Sequence, residues 1–470
     1  MGEAVPYYTI EMGIIMANQD EALAGLRWRV PTRVFVRGGA PREQAVRMPL
    51  PGAKYYTLRY LLAALLAGGV SLVRNPARSD DTVALVRTLR ALGADVSEAQ
   101  SDGDWALRIT GTGGRLSQPP DNTLAVGNAG AVLRLLLGIG ALLPEITFTT
   151  DHPDSLGRRP NADLLAALAQ LGIAADAGGP DGLLPITLRG GPPAGGAVTV
   201  SGARSSQYLS ALLYLAPLLP QGLRITVTDR LRSSDIVRAT LRVLAGAGIH
   251  VEAAPDLRAF AVAGGQTYRA HEVTVPGDAP SAAALAVAAL VLGQPAHLAS
   301  LDASLPESAA LLAALDALGA PLTLTAGGAL SIGAGAALRA VRLDGDPLID
   351  SVPVLVAAAC FAEGESRFEN VANLRLKESD RIGDLCAELR RAGCDAQPFD
   401  DAIVVRGQPE GVVGGATVDA HDDHRLAQAL ALVALRSRAG LTITGADAVA
   451  KSYPSFFEDL RLLGAEVRDV

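Results

Sequence analysis

A helix ending that recurs six times limits what this chain can fold into. In each copy, helically spaced apolar residues, mostly leucine, lead to a glycine, and a short apolar run follows. The six glycines are Gly93, Gly172, Gly248, Gly319, Gly393 and Gly464. Glycine at this place is typical of a helix C-cap with positive φ that leads into a strand. The spacing of roughly 70–80 residues is longer than that of solenoid repeats but as regular, and it predicts six copies of one α/β unit.

A second pattern recurs in step with the first. A short alternating strand runs into a polar loop, and an apolar helix rich in alanine and leucine follows. The loops cover residues 51–59, 127–134, 201–207, 277–281, 344–353 and 419–425, and the helices include residues 61–66, 135–143, 209–219, 282–292, 354–361 and 427–435. These helices are apolar on nearly every face, so we expect them to be buried. The helices that end in glycine are amphipathic and should lie outside them.

The length of 470 residues is too great for one hydrophobic core. We therefore predict an α/β fold of two domains, each with three pseudo-repeated units around buried apolar helices. Residues 1–30 have weak periodicity and are interpreted as an N-terminal extension. Residues 50–271 would form the domain of units one to three, and residues 31–49 with 272–470 the domain of units four to six. If the strand before Lys54 is shared, the chain crosses between the domains twice.

Composition excludes several classes of function. The net charge of −8 comes without a basic block, which argues against nucleic-acid binding. No apolar run is long enough to span a bilayer, and we expect a cytoplasmic monomer. The three cysteines, Cys360, Cys386 and Cys394, do not form a disulfide framework and are interpreted as small core residues. His421-x-x-His424 with Asp422 and Asp423 is only a weak metal pattern, so no metal is predicted.

Polar side chains cluster where helices begin. A helix N-terminus presents free N–H groups and partial positive charge, which suit phosphate and carboxylate. Taken singly, each of these side chains could equally be a helix cap or a solvated surface charge. Their common placement in successive repeats predicts one cationic cleft between the domains that binds more than one polyanion. The residues are Lys54, Thr57, Arg59, Asn128, Arg134, Arg159, Ser205, Ser206, Gln207, Ser233, Asp350, residues 373–381, His424, Arg425 and Lys451.

Seven motifs occur in an order that resembles the EPSP synthase family, the 3-phosphoshikimate 1-carboxyvinyltransferases, over residues 33–470. They are Lys54-x-x-Thr57-x-Arg59, Gly127-Asn128-Ala129-Gly130, Arg159-Pro160, Ser205-Ser206-Gln207, Asn373-x-Arg375-x-Lys377-Glu378-Ser379-Asp380-Arg381, Asp423-His424-Arg425 and Lys451-Ser452. The resemblance implies the enolpyruvyl transferase fold, an inside-out α/β barrel with three βαβαββ-like units in each domain. It further implies transfer of the enolpyruvyl group of phosphoenolpyruvate to the 5-hydroxyl of shikimate 3-phosphate, with release of phosphate. This reaction of the shikimate pathway leads to chorismate and aromatic amino acids and uses no metal or organic cofactor.

The resemblance also implies roles for individual residues. Asp350 would be the base for the hydroxyl, with Lys54 and Glu378 as proton carriers. Shikimate 3-phosphate would contact Lys54, Tyr55, Arg59, Ser205, Ser206, Gln207, Ser233, Asp350, Asn373 and Lys377. Phosphoenolpyruvate would contact Lys54, Asn128, Gly130, Arg159, Gln207, Arg381, Arg425 and Lys451. Arginine suits these contacts because its planar fork matches carboxylate and phosphate oxygens.

The first loop departs from the family pattern. It reads Gly52-Ala53-Lys54-Tyr55 where the family usually has Gly-Ser-Lys-Ser, and Ala131 replaces a usual threonine. Because the second serine normally contacts the acceptor phosphate, Tyr55 predicts an altered affinity for shikimate 3-phosphate or a related acceptor. Gly130 leaves the room that glyphosate needs in sensitive members, so we expect glyphosate to inhibit.

Two other functions stay open from the sequence. A sister enolpyruvyl transferase that acts on UDP-N-acetylglucosamine shares the fold and a Gly-Ala-Lys loop. That group follows the lysine with asparagine and usually carries a cysteine in its N-terminal half, whereas here all three cysteines lie beyond residue 359. A non-catalytic paralogue that binds related anions is the other alternative, and the retained Lys54, Asp350 and Glu378 argue against it.

Overall fold

The computed structural model describes residues 25–101, 104–325, 328–335 and 337–470. Most of the predicted extension, residues 1–24, lies outside this range. None of the described helices is long and apolar enough to cross a membrane. The α-helices of the described chain are α1 Lys54–Leu66, α2 Asp80–Ala91, α3 Gly130–Gly140, α4 Ala162–Ala169, α5 Ser206–Leu215, α6 Ser234–Gly246, α7 Ala279–Leu292, α8 Pro306–Ala317, α9 Val352–Ala359, α10 Gly383–Ala392, α11 His424–Ala434 and α12 Phe456–Leu462.

The described strands form four-stranded sheets, three of which include a strand from elsewhere in the chain. The strands are β1 Arg33–Arg37, β2 Val46–Pro49, β3 Gly68–Arg74, β4 Asp95–Ser101, β5 Asp104–Thr112, β6 Thr123–Ala125, β7 Glu145–Thr149, β8 Ala174–Gly178, β9 Leu183–Arg189, β10 Gly196–Val200, β11 Leu223–Val227, β12 Glu252–Ala253, β13 Ala259–Val262, β14 Glu272–Thr274, β15 Ala296–Ala299, β16 Leu322–Leu324, β17 Leu330–Ile332, β18 Arg342–Asp344, β19 Glu365–Glu369, β20 Asp395–Phe399, β21 Ala402–Arg406, β22 Thr417–Asp419, β23 Leu441–Thr444 and β24 Glu466–Asp469.

The second repeat shows the unit in its simplest form. Its chain order is β6, α3, β7, α4, β8 and β9, and the sheet order is β6-β7-β9-β8. Strands β6 and β7 are parallel, because a helix carries the chain back between them, and the remaining pairs are antiparallel. This is the predicted βαβαββ-like unit.

Three strands pair with a distant part of the chain. Strand β1 lies between β23 and β24 in the sixth repeat. Strand β2, just before Lys54, pairs with β15 in the fourth repeat. Strand β14, after the third repeat, pairs with β3 in the first repeat. The predicted sharing of the strand before Lys54 is therefore confirmed, and the chain crosses between the halves twice. The division of the chain at residues 49/50 and 271/272 stays a prediction.

The buried apolar residues form two clusters, one for each half of the chain. The inner helices α1, α3, α5, α7, α9 and α11 supply much of both clusters, as their composition predicts. Every residue of α7, α9 and α11 is buried. All three cysteines are free and buried, in agreement with their interpretation as core residues.

Local backbone geometry confirms one sequence expectation and corrects another. All six repeat glycines have positive φ, between 80° at Gly248 and 102° at Gly93. The inner helices, however, begin earlier than predicted: Lys54 is the first residue of α1, and Arg134 lies within α3 rather than in a loop. These polar side chains were interpreted as loop residues. Lys54 lies in the first turn of α1, where the N–H groups are free, and Arg134 is held within α3 by hydrogen bonds to Gln207 and Asn161.

Close packing of the inner helices gives a stability test. A Cβ atom added to Gly138 in α3 would lie 2.5 Å from the carbonyl oxygen of Ala211 in α5. We expect Gly138→Ala to lower the free energy of unfolding by about 1–3 kcal/mol, because the backbones must move apart. Gly246→Ala at the end of α6 is the control, since its Cβ would meet no atom within 4 Å. Equal urea-unfolding midpoints for the two variants would contradict this packing.

Candidate active site

A cleft of about 950 Å³ opens between the two halves of the chain. It is lined by the N-terminal ends of α1, α3, α5 and α11 and by the segment before α10. Seven lysines or arginines line it, against three aspartates or glutamates. The cleft therefore has an excess of positive charge within reach of several helix N-termini, which suits small polyanions.

Arg381 links three carboxylates at the centre of this cleft. Its side chain is 1% exposed, and its Nε donates to Oδ2 of Asp423 at 2.7 Å while its Nη2 donates to Oδ1 at 3.1 Å. Nη1 donates to Asp350 at 2.9 Å, and Nη2 also donates to Glu378 at 2.7 Å. Burying the guanidinium disfavours its charge, but the three carboxylates outweigh that effect and raise the pKa of Arg381. Arg381 thus fixes Asp350 and Glu378 relative to α11, whose N-cap is Asp423.

Ion pairs across the cleft join the two halves. Arg159 Nη2 lies 3.0 Å from Glu378. Lys451 lies 3.6 Å from Glu378 and 3.7 Å from Asp81, and its Nζ also donates to the backbone carbonyl of Asn128. Asp81 in turn lies 3.0 Å from Nζ of Lys54. These contacts bring Lys54, Arg159 and Lys451 together although almost 400 residues separate the first from the last.

Neighbouring charges decide the protonation of the two central carboxylates. Desolvation alone would raise the pKa of Asp350, but Lys377, Arg381 and Arg425 hold it well below its ordinary value. Glu378 behaves in the same way: Arg159, Arg381 and Lys451 outweigh its desolvation and keep its pKa low. Both carboxylates are therefore ionised at neutral pH.

Burial acts in the opposite direction on the cationic groups. Desolvation lowers the pKa of Lys377 and of Lys451 from the ordinary lysine value. It also lowers the pKa of His424, with help from the positive charges of Arg425 and Lys54, so this imidazole is neutral. A lysine with a lowered pKa releases a proton more readily than one in water, which is useful in a site that must move protons.

The other end of the cleft is built mainly from hydroxyl and amide groups. Ser205 is the N-cap of α5, and its Oγ accepts from the backbone N–H of Gln207 at 3.3 Å. Ser233 is the N-cap of α6 in a left-handed conformation, with φ of 51°. Gln207 accepts a hydrogen bond from Arg134 at 2.9 Å, so its amide is held in place. Ser206, Asn373 and Lys377 line the same region.

Most of the residues predicted for the site line this one cleft. They are Lys54, Tyr55, Gly130, Arg159, Ser205, Ser206, Gln207, Ser233, Asp350, Asn373, Lys377, Glu378, Arg381 and Arg425. Lys451 and Asn128 adjoin it through the contacts described above. Arg59 is placed differently: it is 1% exposed and donates to the carbonyl of Tyr55 and to the hydroxyl of Thr240, beneath the cleft wall. Its contact with the acceptor stays a prediction.

Three charged residues of the site were missed by sequence reasoning or assigned no role. Asp81, 3% exposed, supplies the carboxylate for Lys54 and Lys451. Asp423 is fully buried and holds Arg381. Arg204 lines the cleft beside Ser205 and lies 3.6 Å from Asp163. The N-cap sequence Ser79-Asp80-Asp81 marks a helix start in the same way as the other motifs, and this signal could have identified Asp81.

No group of three or more histidines, cysteines, aspartates or glutamates in the described part of the chain is placed to hold a metal ion. The two histidines of the weak metal pattern have different surroundings. His421 lies at the surface 3.5 Å from Glu388, whereas His424 is buried in the cleft.

The sequence of this chain is similar to those of several named enzymes. The chain matches the family model for EPSP synthase (3-phosphoshikimate 1-carboxyvinyltransferase) over residues 37–460. A 3-phosphoshikimate 1-carboxyvinyltransferase of Deinococcus radiodurans is 46% identical over 424 residues, which cover 90% of this chain and 94% of the relative. One from Burkholderia pseudomallei is 36% identical over 418 residues, 89% of this chain and 92% of the relative.

Solved structures resemble the fold over nearly the whole chain. An EPSP synthase from Acinetobacter baumannii superposes with a TM-score of 0.75 at 28% identity and covers 93% of this chain and 100% of its own. The enolpyruvyl transferase NikO from Streptomyces tendae has a TM-score of 0.72 at 19% identity, covering 93% and 98% of the two chains. At that identity the second likeness bears on the fold alone.

The low pKa of Asp350 predicts a pH-dependent contribution to stability. We expect Asp350→Asn to lower the free energy of unfolding at pH 7 by about 3 kcal/mol, because Arg381 and Lys377 lose a buried partner. The stabilisation is present above the unfolded-state pKa of about 3.9 and is lost as the pH falls through the lower folded-state pKa. The difference in the free energy of unfolding between wild type and Asp350→Asn should therefore become smaller below about pH 4. Urea unfolding at a series of pH values measures it.

Asp154→Asn is the matched control, because that side chain is 86% exposed and its partner Arg158 is at the surface. It should change stability by less than about 1 kcal/mol at any pH. A stability difference between wild type and Asp350→Asn that does not depend on pH would contradict the prediction.

Proposed function

The chain belongs to the EPSP synthase family, and from that premise we propose that its cleft transfers the enolpyruvyl group of phosphoenolpyruvate to the 5-hydroxyl of shikimate 3-phosphate. The observation that carries this is the convergence of Lys54, Asp350 and Glu378 in one cationic cleft. The named relatives favour this acceptor over UDP-N-acetylglucosamine. A non-catalytic paralogue is not favoured either, because the ionised carboxylates lie directly beside lysines and arginines.

The two anions are assigned to opposite ends of the cleft. Arg159, Arg425 and Lys451, with Lys54 and Arg381, form the cationic end and would hold the phosphate and carboxylate of phosphoenolpyruvate. Asn128 and Gly130 would complete that end, and Gln207, which lies beside Ser205, would contact both anions. The serine-rich end would hold shikimate 3-phosphate through Ser205, Ser206, Ser233, Asn373 and Lys377, and Arg204 adds a cation beside these serines.

The chemistry is an addition followed by an elimination. Asp350 accepts the proton of the acceptor hydroxyl, whose oxygen bonds to C2 of phosphoenolpyruvate while C3 gains a proton. Loss of a proton from C3 then restores the double bond as the C2–O bond to phosphate breaks. Lys54 and Glu378 would carry the protons to and from C3, and the surrounding cations stabilise the departing phosphate.

Release of inorganic phosphate tests the acceptor. Purified protein with phosphoenolpyruvate and shikimate 3-phosphate should release phosphate at a rate typical of enzymes, roughly 1–1000 per second. The parallel reactions contain UDP-N-acetylglucosamine in place of shikimate 3-phosphate, or no acceptor. Phosphate release only with UDP-N-acetylglucosamine would replace the proposed acceptor, and release in neither reaction would overturn the enzyme assignment. Cytoplasmic location and a monomeric state remain predictions.

Tyr55 separates the cleft from a neighbouring cavity of about 610 Å³ and lines both. We expect Tyr55→Ser to lower KM for shikimate 3-phosphate about tenfold, since it restores the hydroxyl that contacts the acceptor phosphate in the family pattern, and to leave KM for phosphoenolpyruvate nearly unchanged. Tyr60→Ser is the control, because Tyr60 packs against Tyr56 and His271 away from the cleft. An unchanged acceptor KM in Tyr55→Ser would place Tyr55 outside the acceptor site.

Gly130 supports the expectation that glyphosate inhibits. A Cβ atom at this position would lie 2.6 Å from Nη1 of Arg159, so only glycine leaves this guanidinium undisturbed. An unaffected rate at saturating glyphosate would contradict the expectation.

A further inference from the structure

Arg425 differs from the other cations assigned to phosphoenolpyruvate in the groups that surround its charge. Lys54, Arg159, Arg381 and Lys451 each have a carboxylate within 4.0 Å. In the described part of the chain no carboxylate lies that close to the Arg425 guanidinium, although its side chain is buried. Its Nε is also buried without a hydrogen-bond partner. Arg425 therefore presents a full positive charge and a free donor at the cleft.

A neutral amide holds this guanidinium in place. Nη1 of Arg425 donates to Oε1 of Gln428, one helical turn further along α11, at 3.1 Å. Gln428 is completely buried, and beyond the first turn of α11 it is the only polar residue, surrounded in sequence by alanine, leucine and valine. Because a guanidinium only donates, the amide must present its oxygen, which leaves Nε2 buried and unpaired. An unpaired buried donor costs stability, so packing alone does not account for glutamine here.

We propose that Gln428 is a positioning residue that orients Arg425 without neutralising it, so that the full charge of Arg425 is available to the phosphoenolpyruvate anion. The inference rests on the proposed function, which assigns phosphoenolpyruvate to this end of the cleft. A second pair in the same cleft is similar, because among the described residues Arg134 also has no carboxylate within 4.0 Å and is held by the amide of Gln207 at 2.9 Å. An amide fixes an arginine through one hydrogen bond, whereas a carboxylate would fix it and cancel its charge.

Two substitutions separate orientation from charge. Gln428→Met keeps the volume but removes the acceptor, and we expect KM for phosphoenolpyruvate to rise about tenfold. Gln428→Glu supplies a stronger acceptor for Arg425 but compensates its charge, and we expect KM for phosphoenolpyruvate to rise about 100-fold or more. In both variants KM for shikimate 3-phosphate should stay within about twofold of wild type, because that end of the cleft is unaffected.

The glutamate variant distinguishes this role from a purely structural one. If Gln428 only satisfied Arg425, glutamate would serve at least as well as glutamine, and KM for phosphoenolpyruvate would be near wild type. That result, or an unchanged KM in Gln428→Met, would overturn the inference. Leu432→Met, a buried substitution later in α11, controls for repacking, and thermal unfolding checks that every variant folds. Wild type is assayed first: if it fails to turn over both substrates, the proposed function fails, whereas normal wild-type turnover with unaffected variants contradicts only the role of Gln428.

Discussion

The buried guanidinium of Arg381 and its three carboxylates are the interaction on which the site depends. Asp350 precedes α9, Glu378 lies before α10, and Asp423 caps α11, so one side chain links the fifth and sixth repeats of the chain. Breaking a buried ion pair by removing one partner typically costs about 3–5 kcal/mol, because the other charge is left uncompensated. Asp350 and Glu378 are therefore held in position by the same network that keeps them ionised.

The cations of the cleft differ in whether a carboxylate or an amide lies beside them. Arg381 and Lys54 are paired with carboxylates and organise the site, and Lys451 links the halves through Glu378 and Asp81. Arg425 and Arg134 are held by amides instead, and in our proposal this leaves the charge of Arg425 for phosphoenolpyruvate. A cleft of this kind stays folded when empty, since most of its buried charges are paired, and still has positive charge to offer a polyanion.

The sequence allowed much of the fold and most of the site to be predicted, because both leave local signals. A glycine at a helix end needs only its own positive φ, and all six were identified. The family resemblance, confirmed by the relatives, identified most of the residues that line the cleft. The start of α1 at Lys54 was missed because a lysine followed by two tyrosines does not look like a helix N-terminus. Asp81 was missed because its partners, Lys54 and Lys451, are distant in sequence.

The sequence by itself determined the number of repeats, the burial of the inner helices and the presence of recurrent polar groups before helices, because periodicity and glycine geometry act over a few residues. Only the tertiary structure decided which charges meet. The pairing of Lys451 with Asp81 and that of Arg159 with Glu378 depend on how the two halves pack together and exchange β2 and β14. The strength of an ion pair depends on the distance between its two charged groups. For residues on separate helices or loops, the number of residues between them in the sequence does not determine that distance.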